Sequence, residues 1–379
     1  MKKKKAIFSG ILVIALLVSS FLGGAYSQYR YEISSDFSSF IPSAIKHEIR
    51  TPPSQSVDDV LLKLIEKKPA FSYNGDYETF KNDFERYKYI SFGYPTELHQ
   101  EFLNSEMLGN ITIDDTHYSE GLEISNIKFS VIGGDLPGLI VKKKDQPIGK
   151  VVIVVPGHPS KSNPLDDLID RHSYQKGIAV ELAKEGYTVF AMGLRGFNTQ
   201  MDHNDFNEIA SMYSLSWYGF LTSDALIFRE HISKKYDVKR ESIGMIGLST
   251  GGGVCLFASS IDKTIPYAII CGFFGSFSHN FVFENHCRCG RIPDILNYFD
   301  MRDYLIARAP EKVVVINGEY DTFSPTEAEE QFRQVKEVYK MMDAESNATF
   351  YSPKNLGHEY DIPLIKEVLK EQFNEGYIL

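Results

Sequence analysis

Cysteine and tryptophan are scarce in this chain. Of 379 residues only four are Cys and one is Trp, and the first cysteine is Cys255. No cysteine therefore follows the amino-terminal apolar run to carry a lipid. Cys255, Cys271, Cys287 and Cys289 lack the paired C-x-x-C spacing of a zinc site, so no metal is expected and buried free thiols are the preferred reading. Pairing into disulfides is permitted outside the cytoplasm, and spacing alone does not pair these four. Basic charge is also short. Forty Lys and Arg face 50 Asp and Glu, for a formal net charge of −10. Lys2, Lys3, Lys4 and Lys5 are the only charges before Arg30, and removing those four from −10 leaves −14 for the rest. An acidic body repels a polyanion, which sets nucleic acid aside as a partner. Internal repeats and low-complexity tracts are missing too.

What is abundant is apolar material. Hydrophobic residues make up 43% of the chain, with 26 Phe and 22 Tyr, against 24% charged. That is enough to bury a large core, and it excludes wholesale disorder. The length fits one large α/β domain with an extension.

The four lysines precede an apolar run over 6–26. A basic head before such a run is the pattern of an export signal, with Ala25 and Ser27 placed for cleavage before Gln28. Roughly 20 apolar residues also suffice to span a bilayer, so the alternative is an uncleaved anchor. Either way the lysines stay in the cytoplasm and the body lies outside it, secreted or membrane-anchored. Three regions are expected: the signal or anchor at 1–27, a linker and small helical extension at 28–125, and a catalytic domain at 126–379. In the extension, Ser56 and Asp59 form a capping-box pattern ahead of Val57, Val60, Leu61, Leu64 and Ile65 on one helical face. Tyr77, Phe80, Phe84 and Tyr87 follow at helical spacing, a stripe that reads as core.

From Asn126 strand-like runs alternate with helical ones. Strands are expected at 127–132, 138–143, 150–155, 187–192, 242–247, 268–273, 312–317 and 348–353. Helices are expected near 173–186, 217–235, 250–260, 291–307, 326–341 and 361–373. Gly133-Gly134-Asp135 makes the first two strands a hairpin. Runs such as Val151-Val152-Ile153-Val154-Val155 suit parallel strands buried between helix layers. The pattern gives a mostly parallel, doubly wound α/β sheet of about eight strands with an antiparallel edge.

The chemistry falls at strand ends. Gly247-Leu248-Ser249-Thr250-Gly251 follows one strand and opens a helix, the context that a nucleophile elbow requires. A serine hydroxyl needs a base, and the base an orienting carboxylate. Asp321 follows strand 312–317 and His358 follows strand 348–353, giving the order Ser, Asp, His. Glu319 is the second choice of carboxylate. An oxyanion needs backbone donors. Thr250, directly after the serine, is one. The other lies in Pro156-Gly157-His158-Pro159, where the prolines have no N–H and His158 is better placed than Gly157.

These residues together resemble the α/β-hydrolase superfamily, and within it the bacterial acetyl xylan esterase and dienelactone-hydrolase-like group. The matching pieces are the His158 loop, Leu194-Arg195-Gly196-Phe197, the elbow, His286-Cys287-Arg288-Cys289 with Ile292-Pro293, and Asn317-Gly318-Glu319-Tyr320-Asp321. They span about two thirds of the chain. Dienelactone hydrolases proper use a cysteine nucleophile, where this chain has Ser249; Asn198-Thr199-Gln200 also departs from the usual run after Arg-Gly-Phe. The resemblance implies the α/β-hydrolase fold, a bacterial source, a serine carboxylic-ester hydrolase working through an acyl-enzyme, no cofactor, and a small-molecule or glycan-linked ester as substrate. Two readings stay open beside it: a hydrolase of another bond (amide, thioester or carbon–carbon), and a non-catalytic binding protein on the same frame. Phe273, Phe274 and His286 are candidates for the pocket wall, against a plain core cluster and a structural loop. Phe277 and Phe281 are weighed in the same way, and Arg195 reads as a loop anchor.

Overall fold

The computed structural model describes residues 67–374, apart from 161–162, 198–200 and 285. The apolar run at 6–26, the helix expected from Ser56 and the segment 198–200 lie outside the described residues. Among those described, no helix is long and apolar enough to cross a membrane.

Two helices lead in. Helix α1 (Tyr77–Ser91) is capped by Asp76, whose carboxylate accepts from the Thr79 amide, and α2 (Thr96–Leu103) follows. The aromatic stripe does pack as core. Phe80 and Phe84 are buried, and the Phe84 ring lies 5.1 Å from Phe299. Just after α1, Phe92 stacks on Phe257 at 4.5 Å and 8°. The leading helices thus share the main hydrophobic core with the rest of the chain.

The sheet has nine strands: β1 (Ile111–Ser119), β2 (Leu122–Val131), β3 (Gly134–Lys143), β4 (Val151–Val155), β5 (Thr188–Met192), β6 (Gly244–Leu248), β7 (Tyr267–Cys271), β8 (Lys312–Ile316) and β9 (Ala348–Tyr351). Their spatial order is β1-β2-β3-β5-β4-β6-β7-β8-β9. The first three pair antiparallel and β3 is antiparallel to β5; from β5 to β9 every pairing is parallel. In β4, Val151, Ile153 and Val155 enter one core cluster while Val152 and Val154 enter another. The sheet is therefore buried on both faces, as its continuous apolar runs imply. One face is covered by α5 (Trp217–Tyr236), α6 (Thr250–Ile261), α7 (Met301–Arg308) and α8 (Pro325–Met341). The other is covered by α3 (Ile178–Lys184) and α9 (Ile362–Asn374). A further helix, α4 (His203–Ser211), sits beside the site described below.

Four sequence expectations need correction. A domain start at Asn126 would cut β2 in half, because the sheet begins at Ile111 and not within residue 126 onward. The ninth strand, β1, escaped notice because only Ile111 in it is buried and the residues from Thr112 to Ser119 are exposed. An edge strand facing solvent carries no apolar alternation to read. The helix expected over 291–307 is broken into a turn at Ile295–Tyr298 and α7, because Asp300 is extended and forms a capping box with Asp303. The helix expected near 173–186 shrinks to α3, preceded by Gly177 at φ 60°.

Burial also sets an acid limit. His99 on α2 is 6% exposed, and its Nδ1 lies 2.8 Å from Ser223 Oγ. Burial pulls its pKa down to about 4. The unfolded chain then binds this proton more readily than the folded one, so the contribution is complete above the ordinary value of 6.5 and is lost as pH falls toward 4. Replacing His99 by Gln is expected to recover on the order of 1–2 kcal/mol at pH 5 relative to pH 7, read as a change in the denaturant-midpoint difference between the two proteins. A difference independent of pH would show that His99 titrates normally.

Candidate active site

Strand β6 ends at Leu248 and α6 starts at Thr250, which leaves Ser249 alone to make the turn. Its backbone sits at φ 58° and ψ −122°, a region that L residues rarely occupy. The crossing is too tight for side chains. A Cβ on Gly247 would meet the Gly251 carbonyl oxygen at 2.0 Å, and one on Gly251 would meet that of Val155 at 1.9 Å. The Ser249 amide donates to the Cys271 carbonyl at 2.9 Å, which pins the turn to β7. Ser249 is thereby held over the carboxyl edge of the central strand and lines a pocket there.

Asp321 and His358 arrive from the next strands. His358 Nδ1 lies 2.8 Å from Asp321 Oδ1, an oxygen that also accepts from the Phe323 amide at 2.9 Å. The Thr322 hydroxyl lies 3.3 Å from the same Nδ1. With Nδ1 held by the carboxylate, Nε2 is the imidazole nitrogen left for other work. The rings of Tyr174 (5.9 Å, 9°) and Phe323 (6.1 Å, 20°) stack on the imidazole. Ser249 and His358 line the same pocket without a direct hydrogen bond, a contact that commonly tightens only once substrate is bound. Glu319 is occupied elsewhere: Lys354 Nζ lies 3.1 Å from one of its oxygens, and the Asn355 amide donates to the other at 2.9 Å. That amide, then Lys354, holds the Glu319 carboxyl below its ordinary pKa.

The loop after β4 passes close to Ser249. A Cβ on Gly157 would stand 3.0 Å from the Ser249 Cβ and 2.2 Å from Tyr174 Oη. The Gly157 amide already donates to Gln175 Oε1 at 3.1 Å, and the Tyr174 hydroxyl donates to the His158 carbonyl at 2.5 Å. The next amide along is that of His158. On the other side, Thr250 is the first residue of α6, where the amide has no partner within the helix.

The pocket holds about 180 Å³. Phe273, Phe281 and His286 line it, and His286 stacks on Phe323 at 4.4 Å and 8°. Phe274 is a correction: it is fully buried and packs edge-on against Phe332, away from the pocket that Phe273 lines. Phe277 likewise stacks in the core with Phe257. Arg195 is an anchor, forking onto Asp224 at 2.7 and 3.0 Å and reaching the Ile132 carbonyl at 2.9 Å. Tyr174, Gln175, Tyr218, Thr322 and Phe323 were not singled out from sequence. Thr322 and Phe323 are adjacent to Asp321, which was a usable signal; the others carry none.

Cys255 and Cys271 are buried free thiols whose pKa values burial pushes up. Cys287 and Cys289 stand differently. They face His203 and His158, and these four are the described residues whose ligand atoms could hold a metal. The hydrogen bond from Cys289 pulls the Cys287 thiol down, while burial pushes Cys289 up.

No family model matches this chain. A Bacillus subtilis (strain 168) protein, the provisionally named hydrolase YtaP, is 24% identical over 185 residues, which are 46% of this chain and 60% of that protein. The match thus spans less than two thirds of that relative. Among solved structures, a Bacteroides fragilis NCTC 9343 protein provisionally named an acetyl xylan esterase superposes with a TM-score of 0.63 at 13% identity, covering 83% of this chain and 93% of that one. Methylesterase BT1017 superposes at 0.56 with 16% identity, covering 80% and 65%. Acetyl xylan esterase 1 from Thermoanaerobacterium sp. JW/SL YS485 superposes at 0.53 with 15% identity, covering 84% and 100%. The chain has the α/β-hydrolase fold, as the resemblance implied.

The turn makes its own prediction. Gly251→Ala forces a Cβ onto backbone and is expected to cost about 3 kcal/mol or more, seen as a lowered denaturant midpoint. An unchanged midpoint would show that the crossing of α6 and β4 is looser than drawn.

Proposed function

We propose that this protein is a serine ester hydrolase. The observation that carries the reading is the strained turn at Ser249, which faces the same pocket as a histidine tethered to a buried aspartate. The Ser249 hydroxyl attacks the ester carbonyl while His358 Nε2 takes its proton. The new C–O bond pushes the carbonyl electrons onto oxygen, where the amides of Thr250 and His158 receive the negative charge. Collapse of this intermediate breaks the bond to the alcohol, and His358 returns its proton to that leaving oxygen. Water then repeats the sequence on the acyl-enzyme and frees the acid and Ser249. Asp321 holds the imidazole in the required tautomer and offsets its charge when protonated.

The pocket favours a short acyl group. Phe273, Phe281 and Phe323 line its volume of about 180 Å³, a size in keeping with a small acyl group. Acetyl esters of small molecules or of glycans fit this reading, and the two acetyl xylan esterases with this fold agree with it. A place outside the cytoplasm, secreted after cleavage of the leader at 1–27 or anchored in the membrane by it, is proposed with it.

Full-length protein is expected to hydrolyse nitrophenyl acetate faster than the octanoate. Ser249→Ala should lower kcat/KM by about 10³-fold or more, and Asp321→Asn by a comparable factor. Glu319→Gln should stay within about twofold of the parent. A fluorophosphonate probe should label Ser249. A folded protein that neither turns over any ester nor takes the probe would overturn the reading; labelling without ester turnover would move it to another acyl bond.

A further inference from the structure

Four side chains from three separate loops converge beside the pocket. His158 comes from the loop after β4, His203 is the first residue of α4, and Cys287 and Cys289 belong to the segment after β7. Their ligand atoms all lie within 4.8 Å of one another. Cys289 Sγ is 3.4 Å from His158 Nε2, and Cys287 Sγ is 3.6 Å from His203 Nε2. With Zn–S near 2.3 Å and Zn–N near 2.0–2.1 Å, a tetrahedral site has a sulfur-to-nitrogen edge of about 3.6 Å. Both measured edges match it. The two sulfurs approach to 2.7 Å and would open by about 1 Å around an ion.

The surroundings suit ligation. The Nδ1 of His158 lies 2.8 Å from the Thr250 hydroxyl, which leaves Nε2 as the lone-pair nitrogen facing sulfur. The Nδ1 of His203 lies 3.0 Å from Asp202 Oδ2, off the line of a hydrogen bond. An oxygen partner on the second ring nitrogen is what metal-bound histidines usually have. Asn204 competes at present: its Nδ2 is 3.2 Å from His203 Nε2, and its Oδ1 accepts from the Cys287 thiol at 3.4 Å. The rings of Phe197 and Trp217 wall the cluster, at 4.6 and 5.3 Å from His203.

We propose that His158, His203, Cys287 and Cys289 form a structural metal site that binds zinc. Two thiols give up two protons as Zn²⁺ enters, so two thiolates and two neutral imidazoles leave the site with no net charge. That matters where Cys289 is 1% exposed. Sulfur and imidazole donors in this ratio favour zinc over magnesium or calcium, and four protein ligands close the site to water. The ion is not a reactant. It ties the His158 loop to α4 and to the segment that supplies His286 and Phe281 to the pocket wall.

The full chain, expressed with added zinc and purified without a nickel column, is expected to hold about one zinc per chain by mass spectrometry of the metal. Exchanged with cobalt, it should show the sulfur-to-cobalt charge-transfer band and strong d–d absorption of a tetrahedral site. Cys287→Ser combined with Cys289→Ser should abolish both signals, and His203→Ala should weaken zinc retention by about tenfold or more. Folded parent protein with under about a tenth of a zinc per chain and no cobalt spectrum overturns the proposal. So does a Cys287–Cys289 disulfide in the purified chain, or zinc retained at full level by the double variant. The cobalt spectrum of the parent decides the matter if the variants fail to fold. None of these readouts depends on ester turnover.

Discussion

The site depends on how closely one helix can approach two strands. Helix α6 leaves β6 with a single residue between them, and its first turn lies against the carbonyl of Val155 at the end of β4. That contact admits no side chain at Gly247 or Gly251. In return it places the Ser249 side chain and the α6 amino terminus at one point on the sheet edge. The partial positive charge of a helix start is then available where negative charge would develop. The strain at Ser249 is local, and it is borne by a core whose strands β4, β6 and β7 are almost entirely buried.

Everything else in the site is brought to that point by strand order. Because β4 and β7 flank β6, the loop after β4 meets Ser249 from one side and the segment after β7 from the other. Strands β8 and β9 follow outward, so the loops carrying Asp321 and His358 reach in from the β7 side. The leading helices act at a distance. Phe92 stacks on Phe257 of α6, about two turns along the helix from Ser249. Such packing resists movement of α6, and with it of Ser249.

What was legible in sequence follows from how local each requirement is. The elbow was readable because a one-residue turn between buried elements demands glycine at fixed offsets from the serine. Asp321 and His358 were readable because each sits just past an apolar strand. Strand β1 was not, since it is itself the edge of the sheet, paired on one side with β2 alone, and its residues from Thr112 to Ser119 are exposed. Phe274 was misplaced because a run of two phenylalanines does not say which one faces the cavity. His203 was passed over for a different reason: its partner Cys287 lies 84 positions away in the chain, and only the closed fold sets the two together.

The same distinction separates the two flanks of the pocket. On the His358 side, position is enforced by short-range bonds: Asp321 Oδ1 is shared between the imidazole and the Phe323 amide, within one loop and its neighbour. On the His158 side the backbone is constrained at Gly157 by Gln175 and at the His158 carbonyl by Tyr174. Those bonds fix the loop's path but leave the imidazole of His158 to be oriented separately, by Thr250 at Nδ1 and by Cys289 at Nε2. Thr250 follows Ser249 directly, so the ring of His158 couples the elbow to the cysteine segment. A displacement of Cys287 and Cys289 would then be felt at both amides that flank the serine, since one belongs to His158 and the other to Thr250. Two loops with no sequence proximity are in this way mechanically joined to the one turn that cannot move.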